Sequence, residues 1–570
     1  MSESKALIRE ALKSHQAGDL AAARTVYERV LASEPANAEA LHLLGVVCLQ
    51  EAKNQEAVDL IQQAVILRDD QAAWFGNLGT AKSALNDLPG AVAAYEAALR
   101  LKPDHVESHY NIAHVYSRMG DRTAAEASYR EALRLAPEHV GAKNNLATCL
   151  REQGRSGEAI ELLETLLADS PQFAEGWYNL GNALRDLDRI DEAIVSYERA
   201  MELAPESADV KASLGMAQLA TGDFERGLPL YEFRQQARGG GVSDRCQPRW
   251  DGSSVSGKRV MLFSEQGLGD TLQFVRFAKL LRDAGATVYL ECQRPLKIIL
   301  ETSHLFDGVF ASDESLPEFD VAAPLLSLPL LLETRAETIP ADVPYLEPAS
   351  QLVSTWSERL AQIDGFKVGI AWQGAPGHLS DVRRSFSLRE FETIAAVPGV
   401  SLVALQKGFG LEQVSEVSFP IHELGDDHDE SNGAFMDTAA VMANLDLVIT
   451  SDTSVAHLAG AMGVPVWIAM STGSDWRWMS GRDDSPWYPT ARLYRQTEAG
   501  EWASVFERMR EDVQQLVGES STRRTEAEVR IEVSVGELLD KITILEIKSE
   551  RIGDEAKLRN IRRELDSLER

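Results

Sequence analysis

Apolar and small side chains recur along the first 236 residues with the spacing of two successive amphipathic helices. In one such unit the recurring positions are Leu41, Leu44, Gly45, Cys48, Ala57, Ile61 and Ala64. Spacings of three, four and seven residues place side chains on one face of a helix. The pattern therefore predicts pairs of helices that pack through these faces, with small residues at the points of closest approach.

The helix pairs repeat with a period of 34 residues. One register holds Pro35, Pro103, Pro137, Pro171 and Pro205, with Asp69 in the skipped position. Another register holds the small residues Gly45, Gly79, Ala113, Ala147, Gly181 and Gly215. Because proline cannot continue a helix, the first register predicts where the second helix of each pair ends.

This period, with its small, large and proline positions, resembles the tetratricopeptide repeat. The resemblance covers about residues 3–236 and implies seven helix pairs, of which the first is incomplete. It also implies a right-handed solenoid over residues 1–236, with a concave groove lined by the first helix of each pair.

Four asparagines occupy the same position in consecutive repeats: Asn77, Asn111, Asn145 and Asn179. Asparagine is unfavourable inside a helix, and its amide both donates and accepts hydrogen bonds. A row of amides can therefore bracket an extended peptide backbone without reading its sequence. The row resembles the asparagine ladder of O-linked N-acetylglucosamine transferase, which implies a protein or peptide acceptor in the groove. The alternative is that these asparagines form hydrogen bonds between helices.

Beyond the repeats, short apolar runs alternate with helical stretches, a pattern typical of parallel α/β structure. The predicted strands are residues 259–263, 287–292, 366–372, 400–405, 447–449 and 464–470. Glycine-containing loops follow the first strand, at Gly267 and Gly269, and the strand that begins at Phe366. The sequence thus predicts two α/β halves separated by a proline-containing connector, the arrangement of a cleft enzyme with two Rossmann-like domains.

The stretch from Asp446 to Pro465 predicts a buried strand, a polar turn and the start of a helix. Its small polar residues include Ser451, Asp452, Thr453 and Ser454, and His457 follows within about one helical turn. A helix N-terminus has unpaired N–H groups and a positive dipole end, so it suits a phosphate at the carboxyl edge of a parallel sheet. The alternative is that Asp452 or Ser451 only caps the helix.

Two further positions are candidate donor ligands. Lys407 follows the predicted strand 400–405, at its carboxyl end. The loop after strand 464–470, residues 474–489 and here called the exit loop, contains three tryptophans and the arginines Arg477 and Arg482. Such residues suit stacking on a base or sugar and pairing with phosphate. The alternative is that the loop is a packed cover over the end of the sheet.

Three motifs carry a second resemblance: Gly-Leu-Gly-Asp270, the pair Arg383-Arg384, and Ser-Asp-Thr-Ser-Val-Ala-His457-Leu-Ala. They are similar to the heptosyltransferase-like glycosyltransferases of GT-B fold, here fused to tetratricopeptide repeats. The implied domains are a linker (237–256), an acceptor-side half (257–345), a connector (346–365), a nucleotide-sugar half (366–518) and a short helical tail (519–570). The first half is short for this family.

The resemblance also implies roles for individual residues. Asp270 is the general base, and Arg384, at a family lysine position, neutralises the leaving diphosphate. Asp452, Thr453, Ser454 and His457 hold the donor. One carboxylate with no second nucleophile implies an inverting displacement, and the helix and arginine groups imply that neither metal nor cofactor is needed.

Charge and composition limit the classes of partner that we expect. A net charge of −31 and a pI near 4.8 argue against a general nucleic-acid or anionic-membrane binder. The N-terminus lacks the apolar core of a signal peptide, and no apolar run reaches the roughly 18 residues of a membrane span. The four separated cysteines predict reduced thiols without a zinc site, and hence a cytoplasmic protein.

Three functions fit these features. The first is a glycosyltransferase whose repeats present a protein acceptor. The second is the same enzyme with a glycan or lipid-linked acceptor and the repeats as an assembly scaffold. The third is a non-catalytic adaptor. The repeats or the tail are also candidate contacts for an oligomer.

Overall fold

The computed structural model describes residues 3–237, 247–376, 381–425 and 427–526. The predicted flexible joint at 238–244, the end of the loop 373–378, Asp426 and the tail from residue 527 lie outside these ranges. The chain divides into two compact units, residues 1–509 and 510–570. All the candidate site residues belong to the first unit.

The part of the chain from residue 3 to residue 231 forms fourteen helices in seven consecutive pairs. They are α1 (Glu3–Gln16), α2 (Leu20–Ser33), α3 (Ala38–Gln50), α4 (Asn54–Leu67), α5 (Ala72–Ala84), α6 (Leu88–Leu101), α7 (Val106–Met119), α8 (Arg122–Leu135), α9 (Val140–Glu152), α10 (Ser156–Asp169), α11 (Ala174–Asp186), α12 (Ile190–Leu203), α13 (Ala208–Ala220) and α14 (Phe224–Tyr231). The predicted helical solenoid is confirmed. The first pair, which the sequence analysis predicts to be incomplete, has both of its helices.

The small-residue register has a direct packing cause. A Cβ on Gly79 would lie 2.7 Å from the Tyr95 ring, and one on Gly181 would lie 2.6 Å from the Tyr197 ring. The first helix of each of these pairs therefore lies against an aromatic ring of the second, and only glycine leaves room for it.

Two parallel sheets follow the helix pairs. The first has the order β3-β2-β1-β4, and the second the order β6-β5-β7-β8-β9. The strands are β1 (Arg259–Phe263), β2 (Thr287–Cys292), β3 (Gly308–Ala311), β4 (Val321–Pro324), β5 (Phe366–Ala371), β6 (Val400–Ala404), β7 (Leu447–Ser451), β8 (Val466–Met470) and β9 (Ala491–Arg495). All six predicted strands are present, while β3, β4 and β9 are additional.

Further helices lie between these strands or follow the last one. They are α15 (Leu268–Phe274), α16 (Ala278–Asp283), α17 (Lys297–Glu301), α18 (Leu328–Leu331), α19 (Ser350–Leu360), α20 (Asp381–Arg384), α21 (Glu392–Ala395), α22 (Met436–Met442), α23 (Ser454–Ala461) and α24 (Ala503–Glu526). The helix expected after β1 is divided into α15 and α16 by a 3₁₀ turn, Val275–Phe277. The predicted connector 346–365 contains α19, and α24 crosses the predicted tail boundary at 518.

One hydrophobic core runs from the later helix pairs through both sheets. It includes buried residues from Ala113 to Leu493, whereas the residues Ile8 to Ala94 form a separate cluster. Trp476, Trp478 and Trp487 of the exit loop are buried in the larger core. The exit loop is therefore the packed cover that the sequence analysis gives as its alternative, and its tryptophans are not available to stack on a base or sugar.

Candidate functional site

The first turns of α15 and α23 meet where the carboxyl ends of their preceding strands, β1 and β7, open into loops. A Cβ on Gly269 would lie 2.6 Å from Cδ2 and 3.2 Å from Nε2 of His457. Glycine at this position therefore allows the Gly-Leu-Gly-Asp segment of α15 to lie directly on α23. The two helix starts that the sequence analysis singles out therefore lie against each other.

The N-terminus of α23 is not closed by a side chain. Thr453 is the N-cap residue and makes no side-chain capping bond, and Asp452 precedes it in the turn between β7 and α23. The alternative that Ser451 or Asp452 is merely the cap is therefore wrong. Ser451 is fully buried, and its hydroxyl has no hydrogen-bond partner within the described residues. Thr453 and Ser454 are half-buried.

Asp270 is held by two contacts. Its Oδ2 accepts a hydrogen bond of 2.8 Å from the Gly267 N–H, and its Oδ1 forms an ion pair with Arg477 of the exit loop. The side chain of Asp270 is 17% exposed and that of Arg477 only 6%. Arg477 also pairs with Asp475 at 2.6 Å. Two carboxylates already balance the charge of Arg477. In this structure Arg477 therefore pairs with the predicted base, Asp270, and its charge is not available to a phosphate.

Asp452 lies among charges of both signs. Burial raises the pKa of Asp452 from its ordinary value of 3.8 to about 6, and the nearby Asp475 carboxylate adds to this. The Arg384 guanidinium donates a 2.9 Å hydrogen bond from Nη1 to the Asp452 carbonyl oxygen. Its Nε has no hydrogen-bond partner among the described residues. The turn therefore carries a carboxyl group that gains a proton in mildly acid solution, with an arginine beside it.

His457 is buried within the first turn of α23. Its Nδ1 lies 3.0 Å from the Tyr488 hydroxyl, and its ring stacks on Trp478 with centroids 5.2 Å apart. Burial, and after it the charge of Arg477, lower the pKa of His457 to about 3. His457 is therefore neutral at physiological pH, so it can form a hydrogen bond with a sugar donor but brings no positive charge to it.

Lys407 makes its contacts with another segment. Its ammonium group donates to the His428 carbonyl oxygen at 2.7 Å and pairs with Glu430 at 2.6 Å. Both partners belong to the segment after β6, and neither is one of the candidate site residues.

The asparagine column forms hydrogen bonds within the helix array. The Nδ2 atoms of three members donate to the first helix of the preceding pair: Asn77 to His42 at 2.9 Å, Asn145 to Tyr110 at 3.2 Å, and Asn179 to Asn144 at 2.8 Å. For these three residues the amide nitrogen therefore has the alternative role, a hydrogen bond between helices. Asn111 makes no such bond within the described residues, because Gly76 occupies the equivalent position before it.

Sequence models of the tetratricopeptide repeat match residues 14–76, 79–120, 110–174 and 174–207. Residues 14–207 are tetratricopeptide repeats. Protein FlbA of Caulobacter vibrioides is 29% identical over 285 residues, which cover 46% of this chain and 47% of FlbA. The chain thus spans about half the length of this curated relative.

Solved repeat structures resemble parts of the chain at low identity. A tetratricopeptide repeat protein from Parabacteroides merdae is 19% identical, with a TM-score of 0.36 over 42% of this chain and 95% of its own. PilW, a type IV pilus biogenesis factor, is 20% identical, with a TM-score of 0.35 over 38% of this chain and 100% of its own.

Sequence reasoning missed one buried charge cluster between the repeats and the second sheet. Asp186, at the end of α11, forms ion pairs with Arg151 of the preceding repeat and with Arg383 of α20. The 34-residue period gives no signal for it, since the equivalent positions hold Glu152 and Ala220. The aspartate becomes visible only when repeat and sheet are placed together.

Across the described ranges, no group of three or more histidines, cysteines, aspartates or glutamates is arranged to hold a metal ion. None of the described helices is both long and apolar enough to cross a bilayer.

Proposed function

We propose that this protein is an inverting glycosyltransferase of GT-B type that uses a nucleoside diphosphate sugar and modifies an acceptor held by the repeats. The observation that carries the proposal is the open N-terminus of α23, at the carboxyl edge of a parallel sheet and against the turn that bears Asp270. An anion suits such a helix end, and an acceptor on the other side would face a carboxylate.

The donor diphosphate is assigned to the β7–α23 turn. The free N–H groups of α23 and the hydroxyls of Thr453 and Ser454 are donors for its oxygens. Arg384 adds a positive charge at the same turn, where its Nε also lies 3.6 Å from Oδ1 of Asp381. As the bond between the anomeric carbon and the diphosphate breaks, negative charge grows on the leaving group, and fixed donors stabilise it without reorganisation.

Asp270 is assigned to the acceptor. An acceptor hydroxyl attacks the anomeric carbon, the new C–O bond forms as the diphosphate leaves, and the hydroxyl proton passes to the Asp270 carboxylate. In the present structure Arg477 pairs with that carboxylate. Catalysis in this scheme requires the acceptor to take the place of one of these contacts.

The acceptor class follows from the repeats. Tetratricopeptide arrays bind other proteins along an extended surface, so a protein or peptide is the acceptor we favour. A glycan or lipid-linked acceptor is the second form of this enzyme, with the repeats as assembly scaffold. The Asp270–Arg477 ion pair specifically favours another function, a non-catalytic adaptor in which the carboxylate is purely structural.

Release of nucleoside diphosphate from UDP-, GDP-, ADP- and CDP-sugars tests the proposal. Asp270→Asn keeps an oxygen for the Gly267 N–H, so we expect it to retain nucleotide affinity within a few-fold while release falls by at least about a hundredfold. Asp283→Asn, which changes an exposed carboxylate paired with Lys279, is the matched control and should behave as wild type. Nucleotide binding without turnover in the wild type would favour the adaptor, whereas equal turnover in Asp270→Asn would show that this carboxylate is not the base.

A further inference from the structure

Asp186 is a buried carboxylate at the contact between the sixth repeat and the second sheet. Its side chain is 3% exposed, and its Oδ2 accepts a 3.1 Å hydrogen bond from Nη1 of Arg151. Its Oδ1 pairs with Arg383. A Cβ on Gly473, just after β8, would lie 2.6 Å from the Arg185 carbonyl oxygen, so the sheet edge and the end of α11 are in direct contact.

A buried, charged Asp186 costs desolvation free energy, and packing at this contact does not require a charged side chain. Burial opposes ionisation, yet Arg383, Arg151 and Arg185 together hold the pKa of Asp186 below its usual range. Asp186 is therefore ionised at physiological pH. An apolar side chain could fill such a contact without the desolvation penalty of a buried ion pair. The carboxylate is better explained by what it orients.

What it orients is the turn that carries Arg384. Arg383 and Arg384 are consecutive in α20, a helix of four residues. A helix this short has almost no stability of its own, so its position depends on its contacts. One arginine reaches Asp186 on the repeat side, and the next reaches the Asp452 carbonyl oxygen on the sheet side.

We propose that Asp186 is a positioning residue for the diphosphate end of the donor site. Through Arg383 it fixes the turn 381–384 and thereby sets Arg384 over the start of α23. The repeat array then forms part of the donor site in addition to presenting the acceptor. This inference rests on the proposed function, because it assigns Arg384 to the donor diphosphate.

Calorimetric titration of the full chain with UDP, GDP, ADP and CDP tests it. We expect Asp186→Asn to weaken the best-bound nucleotide about tenfold, and Arg383→Gln to weaken it equally. If Asp186 acts through Arg383, the double variant should bind no more weakly than either single variant. Asp188→Asn is the matched control, since Asp188 follows in the adjoining turn and accepts a hydrogen bond from Ser480, and it forms no ion pair with an arginine among the described residues.

The outcomes separate the two proposals. If the wild type binds none of the four nucleotides, the donor assignment fails and this inference fails with it. If the wild type binds but Asp186→Asn binds equally well, or the two single losses add in the double variant, only the positioning role is overturned. Should Asp186→Asn not fold, unchanged affinity in Arg383→Gln overturns it by itself.

Discussion

The contact between α15 and α23 can be tested with one methyl group, in the variant Gly269→Ala. The added Cβ would lie 2.6 Å from Cδ2 of His457, whereas carbon atoms in normal contact are about 3.5 Å apart. Ring and helix must therefore separate by about 1 Å. The ring cannot turn aside easily, because the Tyr488 hydroxyl holds it on one edge and Trp478 stacks on its face.

Overpacking of this kind costs about 1–3 kcal/mol of unfolding free energy. Displacing groups near a reacting centre by about 1 Å can lower turnover about a hundredfold. Both effects are measurable, the first by urea unfolding followed through tryptophan fluorescence and the second by nucleotide release. Trp478 makes the fluorescence sensitive to this contact.

Gly267→Ala is the matched control, in the same loop. The nearest atom to its added Cβ would be Oδ2 of Asp270, at 3.2 Å, and its φ of −69° suits any residue. Because Gly267 is the N-cap of α15 and alanine caps less well, we expect a loss of about 0.5–1 kcal/mol, smaller than that of Gly269→Ala. If Gly269→Ala matches this control in both stability and turnover, α15 and α23 do not meet as described, and the site built on that contact is refuted.

Three further predictions concern single groups. Folding stabilises the protonated form of Asp452. This contribution to the unfolding free energy is present below pH 4 and is lost as the pH rises through about 6, so Asp452→Asn should gain up to about 3 kcal/mol of unfolding free energy relative to wild type between pH 4 and pH 7. A difference between the two proteins that stays constant in urea titrations at these pH values would contradict this. Asn145→Ala should lose about 1 kcal/mol of unfolding free energy, because its hydrogen bond to Tyr110 is lost. Asn111→Ala should unfold like wild type, yet it should modify a protein acceptor more slowly if the groove binds peptide. Equal acceptor modification by Asn111→Ala and wild type would show that the asparagine column does not belong to the acceptor site. His457 should show no titration by NMR between pH 5 and pH 8, and a midpoint in that range would show that its ring is solvated.

Local patterns predicted the elements of this fold well. The 34-residue period and the alternation of apolar runs depend on residues close in sequence, so they located the helix pairs and six of the nine described strands. Of the additional strands, β3 and β4 have four residues each and β9 has five, and all three lie at an edge of their sheets. Such segments carry few apolar positions to count.

The candidate site is harder to predict from the sequence, because its contacts join distant parts of the chain. The Asp270–Arg477 pair spans 207 residues, and nothing local marks either residue as the partner of the other. The exit-loop tryptophans illustrate the same limit. Their composition suited a ligand, but Phe224 of the last repeat and Phe274 of α15 pack against them instead.

The division of the hydrophobic core has an evolutionary consequence. Because the residues from Ile8 to Ala94 pack only with their neighbours, insertion or loss of whole repeats near the amino end would leave the sheets undisturbed. The last repeats have no such freedom, since Phe224 and Tyr231 cover Trp476. Related chains should therefore differ in how many repeats precede this junction, while the two nearest the sheets stay fixed in number.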